Sequence, residues 1–227
     1  EFIKIKPLLL KFKENDVKFK TLFTGQHIDL LSGQETDYKI NIQEGDNTNR
    51  LDSIIQSNLN LPEEYFKDIT HVLVQGDTTS ALACALTAFN RKIKIIHLEA
   101  GLRTHNINSP FPEEANRQLI SRIASINLCP TSNNAQNLIN ENCPGEIHIV
   151  GNTVLDNLKS IKDRVTYENR ILITLHRREN HSIIKNYFES INLLAKKFEY
   201  IQFIIPLHPN PNVQAHKNVF TSNNIKI

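Results

Sequence analysis

The 227-residue sequence contains no methionine and no tryptophan, and only three cysteines. Cys84, Cys129 and Cys143 are odd in number and lack metal-ligand spacing, which argues against a disulfide framework or a zinc site. A reducing cytoplasm is then the expected compartment. No apolar run approaches the roughly 20 residues of a membrane span, and no signal peptide is visible. An excess of one charge is missing too: 26 basic and 24 acidic residues leave a formal charge of +2. The basic residues are scattered rather than clustered, so no nucleic-acid footprint is expected. No GxGxxG turn follows a strand pattern, and no His/Cys/Asp cluster has metal spacing. Neither nicotinamide nor a metal is therefore expected. A chain that begins Glu1-Phe2-Ile3 and has no methionine is expected to be a fragment of a longer protein.

What the sequence does have is an alternation of short β-branched runs with helical patterns. A helix is expected over 2–12, with Pro7 near its first turn, followed by a strand over 17–24 and a helix over 46–60 capped by Asp46 or Asn47. Strands follow at 72–74 and 93–98, separated by an Ala/Leu-rich helix over 79–89. A helix over 115–124 then opens behind two prolines. A strand at 126–129, a helix capped by Ser132 or Asn133, a strand at 147–150 and a helix over 154–161 continue the rhythm. Such alternation predicts an α/β fold with a parallel sheet and right-handed crossovers. Polarity rises over 163–169, so the domains are placed at 1–165 and 166–227. In the second, a strand at 171–175, a helix at 183–198 and a strand at 201–205 are expected before the chain stops. A helix that opens a doubly wound domain normally follows a strand, and here that strand is missing.

The candidate chemistry lies between His71 and Arg117. Asp77 follows the first run of this stretch and Glu99 the second, both at the carboxyl ends of strands, where open α/β sheets bind ligands. Gly76 and Gly101 would let the backbone bend and a ligand approach. Glu113 and Glu114 open the next helix, where acids suit the positive end of its dipole. Arg117 lies four residues beyond Glu113, a spacing that allows the two to pair. Each residue alone has a bland explanation as a turn or helix-start residue. Three carboxylates and nearby arginines at successive element ends are more than a plain fold requires.

The strings GDTTSALACALTAF, HLEAGLRT and SPFPEEANRQLISRIA resemble the non-hydrolysing UDP-N-acetylglucosamine 2-epimerases. FIKIKP, TGQH, IVGNTVLDNL and LHRREN extend the resemblance over nearly the whole chain. It implies two Rossmann-like domains of GT-B type, the second truncated here, in a homodimer that uses no cofactor. The implied reaction interconverts UDP-GlcNAc and UDP-ManNAc by eliminating UDP to a 2-acetamidoglucal and adding it back. Asp77, Glu99 and Glu113 would be its carboxylates, Arg117 would hold Glu113, and Lys4 and His176 would contact the substrate. Gln26, His27, Arg177 and His208 match positions of an activating second UDP-GlcNAc site. A hydrolysing 2-epimerase, a GT-B glycosyltransferase and an inactive nucleotide-sugar-binding remnant remain as alternatives.

Overall fold

In a computed structural model, residues 2–25, 36–42, 49–158, 167–175, 183–207 and 210–227 are described. The chain divides into two compact units, Glu1–Lys162 and Asp163–Ile227. The first contains, in order, α1 (Phe2–Glu14), β1 (Leu22–Phe23), β2 (Tyr38–Lys39), α2 (Arg50–Leu59), β3 (His71–Gln75) and α3 (Thr79–Asn90). It continues with β4 (Lys94–Leu98), α4 (Glu113–Ile123), β5 (Ile126–Cys129), α5 (Ser132–Asn140), β6 (Glu146–Ile149) and α6 (Val154–Leu158).

Strands β3, β4, β5 and β6 lie side by side in chain order, all parallel. Each connection carries a helix back over the sheet, as the sequence rhythm predicts. The core forms where Val74 and Ile95 of the sheet meet Ala81, Leu82, Ala85 and Ala88 of α3, Ile120 of α4 and Ala124 just after it. The small α3 residues let that helix approach the sheet closely. Ile95 is 1% exposed and Ile120 fully buried; truncating either to alanine would cost about 2–5 kcal/mol. Strands β1 and β2 form a separate parallel pair. An apolar cavity of about 690 Å³ lies between β1 and β3, walled in part by Phe2, Ile5, Leu9 and Phe12 of α1.

The second unit has β7 (Arg170–Leu172), α7 (Ile184–Lys197), β8 (Gln202–Ile204), α8 (Pro211–Gln214) and β9 (Ile225–Lys226). Its three strands are parallel in the order β7-β8-β9. Ile184, Phe188, Ile191 and Ala195 of α7 bury against Phe203, Ile205 and Val213. Asn192 fastens the turn before β9: its Oδ1 accepts from the Thr221 and Ser222 amides at 2.9 and 3.1 Å.

Several expected boundaries shift for local reasons. Pro7 lies inside α1 rather than at its start, and only Leu22–Phe23 of the expected 17–24 strand finds a ladder partner. The caps of α2 and α5 are Asn49 and Thr131, whose side chains accept from Leu51 N and Asn134 N. In α5 the capping oxygen thus sits one residue before Ser132. Helix α4 begins two residues earlier than expected, at Glu113, behind Pro112. Strands β2 and β9 escaped the sequence reading because two-residue ladders carry no periodicity.

Candidate active site

The crevice opens where β3 and β4 part at their carboxyl ends. The ladder closes with Gly76 N donating to Leu98 O at 2.9 Å. Beyond it Gly76 turns at φ 71° and Glu99 at φ 66°. Glycine takes that conformation freely, whereas a glutamate there is uncommon and points to a positional demand. The two turns put Asp77 on one side of the crevice and Glu99 on the other.

Glu99 is held by two donors. Lys4 Nζ, reaching from α1, lies 2.5 Å from Glu99 Oε2. Gln75 Nε2, from the last residue of β3, donates to the same oxygen. Lys4 is therefore not a solvated helix lysine. Asp77 is held by Arg117 from α4, whose Nη2 lies 3.2 Å from Asp77 Oδ2. The Asp77 carbonyl accepts from Asn116 Nδ2 at 2.9 Å. Thus α4 grips the β3 turn through both its side chain and its backbone.

Burial pushes the Asp77 carboxyl above its ordinary value; the Arg117 charge pulls it down, and the neighbouring Glu113 and Glu99 charges push it up further. Three carboxylates within electrostatic reach of each other form the setting in which one of them can carry a proton. Lys4 and Arg117 partly offset their mutual repulsion.

Arg117 does not pair with Glu113 as the spacing suggested. Its Nε donates to the Glu113 backbone carbonyl at 3.3 Å. Its ion-pair partners are Asp77 and, at 3.5 Å, Glu114. The reason is geometric: Arg117 is only 7% exposed and points inward, where Asp77 and Glu114 lie. Glu114 is the buried acid of the pair. It is fully enclosed and accepts from Thr104 N at 2.9 Å, His105 N at 3.2 Å and Gln118 Nε2 at 2.8 Å. Burial alone would push its carboxyl up, but the Thr104 amide, Gln118 and Arg117 outweigh that and hold it below the ordinary range. Glu114 thereby ties the loop after β4 to the helix that carries Glu113 and Arg117.

The same loop is anchored on its other side by Arg103, whose side chain is fully buried and whose Nε and Nη2 meet the two Glu141 oxygens at 2.7 and 2.8 Å. Gly101, at φ 84°, is needed for packing rather than for ligand approach: a Cβ there would sit 2.2 Å from the Asn134 carbonyl of α5.

Asp77, Glu99, Glu113, Arg117 and Lys4 are thus brought to one place. Gln26, His27, His176, Arg177 and His208 lie outside the described residues. The sequence reading missed Gln75 and the anchoring role of Glu114. The first sat unremarked at a strand end, and the second was read only as part of a helix start. Among the described residues no group of His, Cys, Asp and Glu could hold a metal, and no helix is long and apolar enough to cross a membrane.

The profile of the UDP-N-acetylglucosamine 2-epimerase family matches residues 11–226. The chain belongs to that family. A UDP-N-acetylglucosamine 2-epimerase of Neisseria meningitidis is 39% identical over 242 residues, a match covering 94% of this chain and 64% of the relative. That of Bacillus subtilis is 36% identical over 249 residues, covering 100% of this chain and 65% of the relative. The chain therefore spans just under two thirds of the length of these relatives. Among solved structures, the Neisseria meningitidis enzyme bound to UDP-GlcNAc matches with a TM-score of 0.85 at 36% identity, covering 98% of this chain and 68% of that one. The Methanocaldococcus jannaschii enzyme in complex with UDP-GlcNAc and UDP matches with a TM-score of 0.77 at 28% identity, covering 100% of this chain and 70% of that one. The chain is α/β, built on the Rossmann-like, GT-B type of fold of these neighbours.

Proposed function

We propose that this chain carries the acid–base half of a non-hydrolysing UDP-N-acetylglucosamine 2-epimerase. The observation that supports it most is the grouping of Asp77, Glu99 and Glu113 around one crevice, with burial and the other two charges raising Asp77. Inverting C2 of a nucleotide sugar requires breaking a C–H bond that is not acidic. In the proposed route one carboxylate takes the C2 proton while the C1–O bond to UDP breaks. The electron pair from C–H becomes the C1=C2 double bond of a 2-acetamidoglucal, and the C1–O pair leaves on the diphosphate. UDP then attacks C1 again as a carboxyl group returns a proton to C2 from the opposite face. Atoms and charge balance without an outside reductant or oxidant.

In this proposal Lys4 and Gln75 hold the Glu99 carboxylate, and Arg117 with Asn116 holds Asp77. Glu113 is the third proton-handling group, and His176 contacts the sugar nucleotide. Gln26, His27, Arg177 and His208 would bind an activating second UDP-GlcNAc. The same proposal makes the complete protein a cytoplasmic homodimer with no cofactor.

Product identity tests the reading. Full-length protein incubated with UDP-GlcNAc is expected to give UDP-ManNAc, with the diphosphate still linked to the sugar by phosphorus NMR. Free ManNAc with UDP would move the protein to the hydrolysing class. No change in substrate would remove the assigned activity.

A further inference from the structure

The described structure leaves one fully buried imidazole, His97, outside the roles assigned above. Its place in the ladder gives it a task. In a parallel pair, a residue that donates to the neighbouring strand also accepts from it through its carbonyl. Gly76 N donates to Leu98 O, so the Gly76 carbonyl would next accept from Ala100 N. Ala100 N goes instead to Leu128 O of β5 at 3.0 Å, because Glu99 at φ 66° turns the chain away. The Gly76 carbonyl is left without its ladder donor at the point where the strands separate. His97 Nε2 fills that place, 2.9 Å from Gly76 O.

A carbonyl can only accept, so Nε2 carries the hydrogen and Nδ1 is bare. That assignment fits the rest of the site: Nδ1 has no protein partner, and an orphaned acceptor is better tolerated than an orphaned donor. Burial, with the Arg103 and Arg117 charges nearby, pushes the imidazole down to about 4 despite the Gly76 bond. It therefore stays neutral and keeps this tautomer at physiological pH. The residue after Gly76 is Asp77, and the residue two after His97 is Glu99. One side chain from β4 thus substitutes for a lost backbone bond and holds the turn of β3 open beside it.

We propose that His97 is a positioning residue of the epimerase site, an imidazole that replaces the Ala100 amide at the Gly76 carbonyl and so sets the separation of Asp77 and Glu99. It acts through the turn and does not touch substrate. The inference rests on the proposed function only for its kinetic consequence.

The test compares His97→Leu, which fills the volume but cannot donate, with His97→Gln, whose amide can donate over a similar reach, and His97→Asn, whose shorter amide cannot. All three are made in the full-length protein. In His97→Leu and His97→Asn the Gly76 carbonyl loses its donor, so the adjoining last ladder bond, Gly76 N to Leu98 O, should open more often and amide exchange at Gly76 should quicken about tenfold. Turnover should fall by up to about a hundredfold, as expected for a small misplacement of a reacting group, with KM changed less than about threefold. His97→Gln should restore much of both. Unchanged Gly76 exchange in His97→Leu and His97→Asn would overturn the proposal, as would a His97→Gln variant that behaves like His97→Leu. If His97→Leu fails to fold, the Gln and Asn pair decides. A wild-type protein without epimerase activity would remove the proposed function, while Gly76 exchange would still decide whether His97 holds the turn.

Discussion

Replacing Glu114 by glutamine removes one negative charge from the most enclosed acid of the site and changes its size very little. Glu114 receives the Thr104 and His105 amides and the Gln118 side chain, with Arg117 at 3.5 Å. Glutamine keeps one accepting oxygen, so one amide loses its acceptor and faces an NH₂ group. A hydrogen bond to a charged group contributes about 1.5–3 kcal/mol. Arg117 keeps Asp77 as a partner, so the weakened ion pair adds roughly 1 kcal/mol or less. The expected loss is about 2–4 kcal/mol, a large share of the 5–15 kcal/mol that stabilises a typical domain. For a cooperative unit of 150–250 residues it corresponds to a fall of roughly 4–16 °C in the thermal midpoint. The sign with pH follows from the direction of the shift. Glu114 is held below its ordinary 4.5 in the fold, so its stabilisation is complete above that value and is lost as pH falls through the folded value. The gap between wild type and Glu114→Gln should be full at pH 7 and close below about pH 4.5. Thermal unfolding across pH 3–8, with amide exchange at Thr104 and His105 as the local readout, measures it. A loss under about 1 kcal/mol at pH 7, or a gap that persists unchanged at low pH, would refute the reasoning.

Asp77→Asn should cut turnover by at least about a hundredfold and, at neutral pH, raise the thermal midpoint. The fold penalises the Asp77 charge above the ordinary 3.8, so wild type loses stability as pH rises through the folded value and asparagine does not. Melting curves at pH 7 and pH 3 check this, and the two proteins should converge at the lower pH. Gly101→Ala should lower stability by at least about 2 kcal/mol, since the left-handed backbone costs roughly 1–2 kcal/mol for an L side chain and the Cβ meets the Asn134 carbonyl at 2.2 Å; urea titration measures it. Cys129 is fully buried and its thiol is pushed up to about 11 by burial, so a thiol reagent at pH 8 should leave it unmodified until the protein unfolds, as peptide mass mapping would show.

The alternation of strand and helix was legible because buried parallel strands such as KIIHL and the Ala-rich helix behind them announce themselves by composition. Asp77 and Glu99 were legible because they follow such strands directly. What the sequence could not supply was direction. Spacing gave Arg117 a partner four residues back, whereas burial turned it toward Asp77 and Glu114. Lys4 was ambiguous until the fold laid α1 beside the end of β4, since nothing between residues 4 and 99 encodes that approach locally. His97 carried no signal as a polar residue in an apolar strand, because its role exists only where Glu99 diverts the ladder. The two-residue ladders were missed because they carry no periodicity, and the caps Asn49 and Thr131 were misplaced because several adjacent polar residues could serve equally well.

The most direct measurement is proton NMR of UDP-GlcNAc in heavy water with the full-length protein and with its Asp77→Asn, Glu99→Gln and Glu113→Gln variants. The account predicts deuterium at C2 together with UDP-ManNAc for the wild type, and exchange slowed by at least about a hundredfold in the variants. UDP-ManNAc formed with the C2 hydrogen retained, or exchange that survives all three substitutions, would contradict it.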